Sequence, residues 1–252
     1  MLAIIGGTGL SKFANLQITR REIVRTPYGE PSGPLTFGRI GDAELCFLAR
    51  HGYGHTLAPH EVNYRANIWA IKEQGIRRVI AVNSVGGIAA EMGPGVIAVP
   101  DQIIDYTYGR QHTFFEGHDA PVVHIDFTHP YCPKARSLCI AAAEMAGVPV
   151  TPTGVYAATQ GPRLETAAEI NRFDRDGATM VGMTGMPEAA LARELELSYA
   201  AIALSVNHAA GRGSSSEAVK LEDIHAVLED GMALVRRILE RAVTLHGDAR
   251  WQ

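Results

Sequence analysis

Short apolar runs separated by turn residues dominate the first part of the chain. Leu2–Ile5 is the first such run, and Ile18–Val24, Leu35–Ile40 and Glu44–Ala49 follow it. Proline and glycine are concentrated in Thr26–Pro34, and Gly-Asp separates the last two runs. Apolar runs joined by such turns pair as antiparallel hairpins. We therefore predict an antiparallel N-terminal part.

Strand-like and helix-like patterns alternate in the remainder of the chain. Apolar positions recur at three- and four-residue steps in the predicted helices, the last of which is long and amphipathic. Tyr106–Pro121 has no clear period and is predicted to be a long loop, and Ala209–Ser216 a mobile one. Without a repeat or a linker, this pattern predicts one α/β domain over residues 1–252, with helices flanking a mixed central sheet. The predicted helices are Asn63–Gln74, Pro133–Ala146, Glu165–Asp174, Pro187–Leu195 and Leu221–Leu245, and the predicted strands are Arg78–Asn83, Gly95–Val99, Val148–Ala158, Met180–Gly182 and Tyr199–Val206.

Composition excludes several classes of protein. The net charge of -4 over 252 residues disfavours a general nucleic-acid binder, which carries a basic excess. Cys46, Cys132 and Cys139 form no C-x-x-C pair, and no apolar run reaches membrane-spanning length. His51 and His55 lie four residues apart but among glycines, so a zinc pair is not expected. We expect a cytoplasmic protein that binds neither metal, membrane nor nucleic acid.

The glycine-rich stretch Gly6-Gly7-Thr8-Gly9 follows the first apolar run directly. A dinucleotide fingerprint would need a further glycine where Lys12 stands, and the Gly-Lys-Ser/Thr of a P-loop is absent. Glycines still let consecutive backbone N–H groups approach an anion. An ordinary glycine turn remains an equally valid interpretation of this stretch alone.

Polar residues follow several predicted strands. Thr8, the pair Arg50-His51, the pair Asn83-Ser84, the pair Met183-Thr184 and Asn207 all lie at such ends. Ligands of open α/β sheets gather at the carboxyl ends of strands. Hydroxyls, a guanidinium and backbone N–H groups together suit a small oxyanion such as phosphate. Each corner alone is more typical of a cap or a surface turn, so the prediction depends on their joint placement.

Several motifs together resemble the purine nucleoside phosphorylases of the trimeric class, and most closely the methylthioadenosine phosphorylase branch. The resemblance covers nearly the whole chain. It implies phosphorolysis of a purine nucleoside in a single α/β domain, with inorganic phosphate as co-substrate, no metal or organic cofactor, and a homotrimer whose sites lie near subunit interfaces. The motifs are Ile4-Ile5-Gly6-Gly7-Thr8-Gly9-Leu10, Ala49-Arg50-His51-Gly52, Asn63-Tyr64-Arg65-Ala66-Asn67-Ile68-Trp69-Ala70, Gly161-Pro162-Arg163 and Met183-Thr184-Gly185-Met186-Pro187-Glu188.

The resemblance also implies roles for individual residues. Met183 corresponds to the residue under the ribose, and Asn207 occupies the base-recognition position within the stretch Asn207-His208-Ala209. Asn207 and His51 are the implied catalytic residues, because the departing purine gains negative charge that a nearby donor stabilises. The implied phosphate-binding set is Thr8, Arg50, His51, Asn83, Ser84 and Thr184.

Departures from the branch indicate the substrate. Its adenine-reading Asp-x-Asp pattern is replaced by Asn207-His208-Ala209, and Glu165 matches a glutamate of the 6-oxopurine-cleaving relatives. A carboxylate accepts the N1–H of a 6-oxopurine, whereas against adenine it would be left unpaired. With one gap in the Ala209–Ser216 loop, Leu221 matches the 5′ position and suits a methylthio group. His124 resembles a residue that reaches the 5′ region from a neighbouring subunit, although a surface histidine is an equally valid interpretation.

The leading hypothesis is therefore phosphorolysis of S-methyl-5′-thioinosine to hypoxanthine and S-methyl-5-thioribose 1-phosphate. A broad 6-oxopurine nucleoside phosphorylase and a methylthioadenosine phosphorylase are alternatives. Two further alternatives are a nucleosidase that uses water and a purine-binding module without activity.

Overall fold

The computed structural model describes residues 1–7, 16–117 and 121–247, so Thr8 lies outside the described residues. Ten strands of the described chain form one mixed sheet. The strands are β1 (Leu2–Gly6), β2 (Gln17–Glu22), β3 (Leu35–Ile40), β4 (Ala43–Ala49), β5 (Arg78–Gly87), β6 (Ile97–Ala98), β7 (Gln102–Asp105), β8 (Val155–Ala158), β9 (Met180–Gly182) and β10 (Ser198–His208). The helices are α1 (Tyr64–Glu73), α2 (Pro133–Ala146), α3 (Ala167–Arg175), α4 (Glu188–Glu194) and α5 (Leu221–His246), with a short 3-10 turn at Gly213–Ser215.

The ten-residue strand β5 organises the sheet. It runs parallel to β1 on one side and to β10 on the other, and its last residues pair with β9 in the antiparallel sense. Strand β4 is parallel to β1, so the carboxyl ends of β4, β1, β5 and β10 lie at the same edge. Because loops at that edge face one another, it is where a ligand of an α/β sheet binds.

Two hydrophobic layers enclose the sheet because side chains alternate along each strand. From β1, Ala3 and Ile5 pack with α1 and α4, whereas Leu2 and Ile4 pack with α2 and α5. All four of these side chains are fully buried, as expected for a parallel strand covered on both faces. A smaller cluster beneath α3 includes Ala209 at the end of β10.

The predicted fold class and the antiparallel pairing of β2, β3 and β4 are confirmed. The expected strand Val148–Ala158 was too long, because two prolines in its first half have no N–H to donate and ordered pairing begins at Val155. Strand β7 was missed, since it is a half-exposed edge strand without an apolar run. No helix among residues 1–7, 16–117 and 121–247 is long and apolar enough to cross a membrane.

Helix α3 begins two residues later than predicted. The Thr166 hydroxyl accepts a hydrogen bond from the backbone N–H of Glu169, and the Glu169 carboxylate accepts one from the Thr166 N–H. This capping box fixes the helix start. Glu165 therefore lies in the preceding loop, with its carboxylate directed away from the helix.

Candidate active site

A cavity of about 960 Å³ opens at the sheet edge where β1, β4, β5 and β10 end. We call two groups of its lining residues the donor end and the helix end. The donor end is lined by Arg50, His51, Ser84 and Thr184, with Gly7 beside them. The helix end is lined by Val219, Ile224 and Leu228, just before and along α5. Glu165, Met183, Asn207 and Ala209 also line the cavity.

Arg50 is buried at the donor end, where it is held by a carboxylate. Its Nε and Nη2 atoms donate to the two carboxylate oxygens of Glu188 at 2.7 and 2.8 Å, and its Nη1 donates to the Val82 carbonyl at 2.9 Å. Tyr199 donates to the same carboxylate at 2.8 Å. Glu188 is 0% and Arg50 1% exposed, so the pair is shielded from solvent screening.

The charge of Arg50 is therefore fixed and balanced inside the protein. Burial lowers its pKa, but Glu188 more than offsets this effect, and the pKa is raised above its ordinary value. A guanidinium has five N–H groups, of which three are used in these bonds. The remaining groups can donate to a ligand in the cavity, in an orientation that Glu188 sets.

His51 is an uncharged side chain at neutral pH. Burial, and then the neighbouring Arg50, lower its pKa to about 4. Its Nδ1 lies 2.8 Å from the Leu57 carbonyl, which can only accept, so Nδ1 carries the proton. Nε2 is consequently an acceptor, and His51 can receive a hydrogen bond from a hydroxyl but adds no positive charge.

Thr184 is oriented by two buried neighbours. Asn83 donates from Nδ2 to Thr184 Oγ1 at 2.7 Å, and the Tyr156 hydroxyl accepts from the Thr184 N–H at 3.3 Å. Because Oγ1 already accepts from Asn83, the Thr184 hydroxyl hydrogen is free to point toward a ligand. Asn83 itself does not line the cavity, whereas the next residue, Ser84, is exposed to it. Asn83 thus meets the cavity through Thr184, because side chains alternate along β5, and its phosphate-binding role stays a prediction.

Asn207 reaches the cavity through an irregularity of β10. The β10–β5 register shifts between Ser205 and Asn207, which is a β-bulge that re-aims the following side chains. The Asn207 amide donates to the His208 carbonyl at 2.6 Å. A Cβ atom on Gly86 would lie 3.5 Å from this amide, an ordinary contact, and 3.3 Å from Val181, which would have to shift slightly.

Glu165 is half-buried and faces the cavity from the loop before α3. Burial raises the pKa of its carboxyl group above the ordinary value, although a hydrogen bond from the Thr159 hydroxyl at 2.7 Å opposes the shift. The other carboxylate oxygen remains able to accept from a ligand. Glu165 and Asn207 together are called the base-reading pair below.

His208, which the resemblance groups with the substrate-binding residues Asn207 and Ala209, does not line the cavity. Its Nδ1 lies 3.0 Å from Ser214 Oγ and accepts from the Ser214 N–H at 3.3 Å. A Cβ atom on Gly213 would lie 2.7 Å from the imidazole ring. His208 therefore packs under the 3-10 turn and holds the loop that follows Asn207.

The 5′ role implied for Leu221 stays a prediction. Leu221 begins α5 with 63% of its surface exposed and does not line the cavity. The helix end is formed by Val219 before it and by Ile224 and Leu228 one and two turns later, with His225 and Glu229 beside them on α5. His124 is exposed and lies outside the cavity lining of the single chain.

Two residues that position the site were not assigned a role from the sequence. Glu188 belongs to a quoted motif, and its signal was a lone carboxylate in an otherwise apolar helix start. Arg110 lies in a segment without periodicity, and nothing local marks it. Its guanidinium is buried behind the loops that carry Glu165 and Met183. Both roles depend on contacts between residues far apart in the chain.

The comparisons with known proteins agree with this geometry. A protein of Pseudomonas syringae named "Probable S-methyl-5'-thioinosine phosphorylase" is 52% identical over 242 residues, which are 96% of this chain and 98% of the relative. A "6-oxopurine nucleoside phosphorylase" of Pyrococcus furiosus is 49% identical over 87% of this chain and 85% of its own.

Solved structures show the same architecture. A methylthioadenosine phosphorylase of Schistosoma mansoni in complex with adenine superposes with a TM-score of 0.94 at 33% sequence identity, over 99% of this chain and 93% of that one. A family model described as the phosphorylase superfamily matches residues 1–244. The chain therefore belongs to the phosphorylase superfamily, within its nucleoside phosphorylases.

Proposed function

We propose that this enzyme cleaves S-methyl-5′-thioinosine with inorganic phosphate, giving hypoxanthine and S-methyl-5-thioribose 1-phosphate. The observation that carries the proposal is the base-reading pair of Glu165 and Asn207 in one cavity with the donor end. The name and 52% identity of the Pseudomonas syringae relative support the same substrate.

The donor end suits phosphate as the nucleophile. Arg50, Thr184 and Ser84 can donate to its oxygens, and the neutral His51 can accept from its hydroxyl or from a sugar hydroxyl. A phosphate oxygen forms the new bond to C1′ while the C1′–N9 bond breaks, and that electron pair leaves with the purine. Positioning and electrostatics carry such a reaction without a covalent enzyme intermediate.

The base-reading pair favours a 6-oxopurine. The Glu165 carboxylate accepts from N1–H of hypoxanthine, whereas adenine presents a lone pair there and would leave a half-buried carboxylate unpaired. The amide of Asn207 can donate to N7 or O6 as negative charge develops. Ala209, which lines the cavity with 2% of its surface exposed, offers no second carboxylate to an amino group.

The helix end favours a 5′-methylthio group over a hydroxyl. Val219, Ile224 and Leu228 present apolar surface to a methylthio group, although His225 and Glu229 also line the cavity from α5. Such a pocket disfavours a hydroxyl only modestly, so inosine should be a slower substrate rather than an excluded one.

A broad 6-oxopurine nucleoside phosphorylase is the second candidate. His225 lines the cavity next to Ile224, and an imidazole there could hydrogen-bond a 5′-hydroxyl. The Pyrococcus furiosus relative supports this reading by its name.

A homotrimer is part of the proposal. Residues 121–127 are irregular, with 79% of Val122 and 39% of Val123 exposed. Within the described residues, none of the seven has a backbone hydrogen bond to another segment. Burying Val122 and Val123 against a second copy would remove their apolar surface from water and would bring His124 to a neighbour's site.

A cytoplasmic location is likewise proposed rather than observed. All three cysteines are free, and burial raises the pKa of the Cys46 and Cys139 thiols to about 12, so both stay protonated. This agrees with a reducing compartment.

A panel of nucleosides tests the function. Methylthioinosine, methylthioadenosine, inosine and adenosine should be assayed with and without phosphate and with a metal chelator. Methylthioinosine should have the highest kcat/KM, the reaction should require phosphate, and the chelator should have no effect. Faster cleavage of methylthioadenosine would exclude base reading by Glu165, faster cleavage of inosine would favour the second candidate, and turnover in water alone would indicate a nucleosidase.

A further inference from the structure

Arg110 is a buried cation outside the cavity lining. Only 8% of its surface is exposed, and its five guanidinium N–H groups donate to six acceptor atoms, three of which share the two hydrogens of Nη1. All six acceptors are uncharged. They are the side-chain and backbone oxygens of Gln160, the backbone carbonyls of Thr159, Met183 and Met186, and the Tyr64 hydroxyl.

Five of these six acceptors belong to two loops that also line the cavity, and the sixth, the Tyr64 hydroxyl, belongs to α1. Thr159 and Gln160 follow β8, in the loop that leads to Glu165. Met183 and Met186 follow β9, in the loop that leads to α4 and carries Thr184. The Nη1–carbonyl distances are 2.8 Å to Met183 and 2.6 Å to Met186, and the Nη2–carbonyl distances are 3.1 Å to Thr159 and 2.8 Å to Gln160.

In each loop, a residue that is hydrogen-bonded to Arg110 either contacts a cavity residue or lines the cavity itself. The Thr159 carbonyl accepts from Arg110, and the Thr159 hydroxyl donates to Glu165 at 2.7 Å. The Met183 carbonyl accepts from Arg110, and the side chain of Met183 lines the cavity. The planar fork of a guanidinium holds several acceptors at fixed mutual angles, which a lysine cannot do.

We infer that Arg110 is a positioning residue that sets the placement of Glu165 relative to Met183 and Thr184, and thereby the preference for a 6-oxopurine. The inference rests on the proposed function and extends it to a residue that touches no substrate. A displacement of about 1 Å between catalytic groups can cost about 100-fold in rate. Loss of the Arg110 hydrogen bonds that clamp the two loops should therefore change base selectivity as well as rate.

Arg136 provides a matched control. It also donates to backbone carbonyls of two segments, namely Val99 at 3.2 Å, Pro100 at 2.9 Å and Pro152. None of these residues lines the cavity. Arg136→Met therefore removes a similar clamp far from the substrate.

The experiment compares Arg110→Met, Arg110→Lys and Arg136→Met with the wild type. The measurements are kcat and KM for methylthioinosine and methylthioadenosine, the thermal unfolding midpoint, and hypoxanthine affinity by calorimetry. Arg110→Met should lower kcat/KM for methylthioinosine by about 100-fold and reduce its ratio to that for methylthioadenosine, and Arg110→Lys should restore only part of both. Arg136→Met should lower the midpoint and leave the ratio unchanged.

The inference is overturned if Arg110→Met keeps the wild-type ratio of the two substrates and the wild-type affinity for hypoxanthine. If Arg110→Met does not fold, Arg110→Lys decides by the same ratio. A wild-type enzyme that cleaves none of these nucleosides contradicts the proposed function instead, and hypoxanthine affinity then tests Arg110 separately.

Discussion

The donor end and the helix end of the cavity are built in different ways. Arg50 and Thr184 are at most 7% exposed and are held by buried partners, Glu188 and Asn83. Val219 and Ile224 lie on a loop and on the first turn of a surface helix that begins at an exposed Leu221. The rigid end suits the step common to all phosphorolysis, and the open end suits the part of the substrate that varies. The phosphate-binding part of the cavity is therefore held rigidly, whereas the part that would hold the 5′ group is on a more exposed element.

The largest effect should come from breaking the buried ion pair. Glu188→Gln leaves the Arg50 charge without a counterion, which should lower the free energy of unfolding by about 3–5 kcal/mol. Urea denaturation measures this change, and the KM for phosphate should rise in parallel. Glu169→Gln removes the exposed partner of Arg163 and serves as the control, with stability near wild type. Equal losses in the two variants would contradict the proposed rigidity of the donor end.

A change of base preference should be the next largest effect. Asn207→Asp replaces a donor by an acceptor that can receive the 6-amino group of adenine. The kcat/KM ratio of methylthioinosine to methylthioadenosine should therefore fall by about 10- to 100-fold. Asn171→Asp, on the exposed face of α3, is the control. An unchanged ratio would mean that Asn207 does not read the base.

Base preference should also depend on pH, to a smaller extent. Because the pKa of Glu165 is raised by burial, its carboxyl group protonates at a higher pH than an ordinary glutamate. The protonated group can no longer accept from N1–H, so the preference for methylthioinosine should decline as the pH falls through the raised pKa and be complete above it. Parallel kcat/KM profiles for the two nucleosides measure the ratio.

Two variants sharpen that measurement. Glu165→Gln should give a low ratio that does not change with pH. Glu169→Gln should keep a sloping profile that is shifted to lower pH, because the charge of Glu169 contributes to the raised pKa of Glu165. A sloping ratio in Glu165→Gln would assign the pH dependence to another group.

The smallest effect is expected at the helix end. Leu228→Asn places an amide against the 5′ group and should lower the ratio of methylthioinosine to inosine by about 10-fold or less. Leu221→Asn, at the exposed start of α5, should leave the ratio near wild type. The opposite ranking would show that Leu221 moves into the cavity when substrate binds.

The parts of the fold set by local chemistry were predictable. Apolar alternation located β3 and β4, and Pro133 with Gly147 marked the ends of α2, where the structure has them. Strand β7 escaped because an edge strand with half-exposed side chains has no apolar run. The start of α3 lies two residues beyond the predicted one, because the Thr166–Glu169 capping box fixes it there.

The sequence likewise predicted some residues of the candidate site and not others. Arg50, Ser84 and Asn207 could be grouped because parallel strands bring their carboxyl ends to one edge. His208 and Leu221 could not be placed, since a bulge in β10 and the position of each residue around α5 decide which side chains face inward. Arg110 acts only through contacts with distant backbone carbonyls, and no local pattern encodes such contacts.

The bulge in β10 decides which of two neighbouring side chains a base would meet. Asn207 and His208 are consecutive, and consecutive residues of a strand point to opposite faces. One residue inserted or removed ahead of position 207 would exchange them, presenting an imidazole in place of the amide. Under the proposed function, base preference therefore depends partly on the length of β10. A single insertion there would change which nucleoside is preferred without any substitution in the base-reading pair.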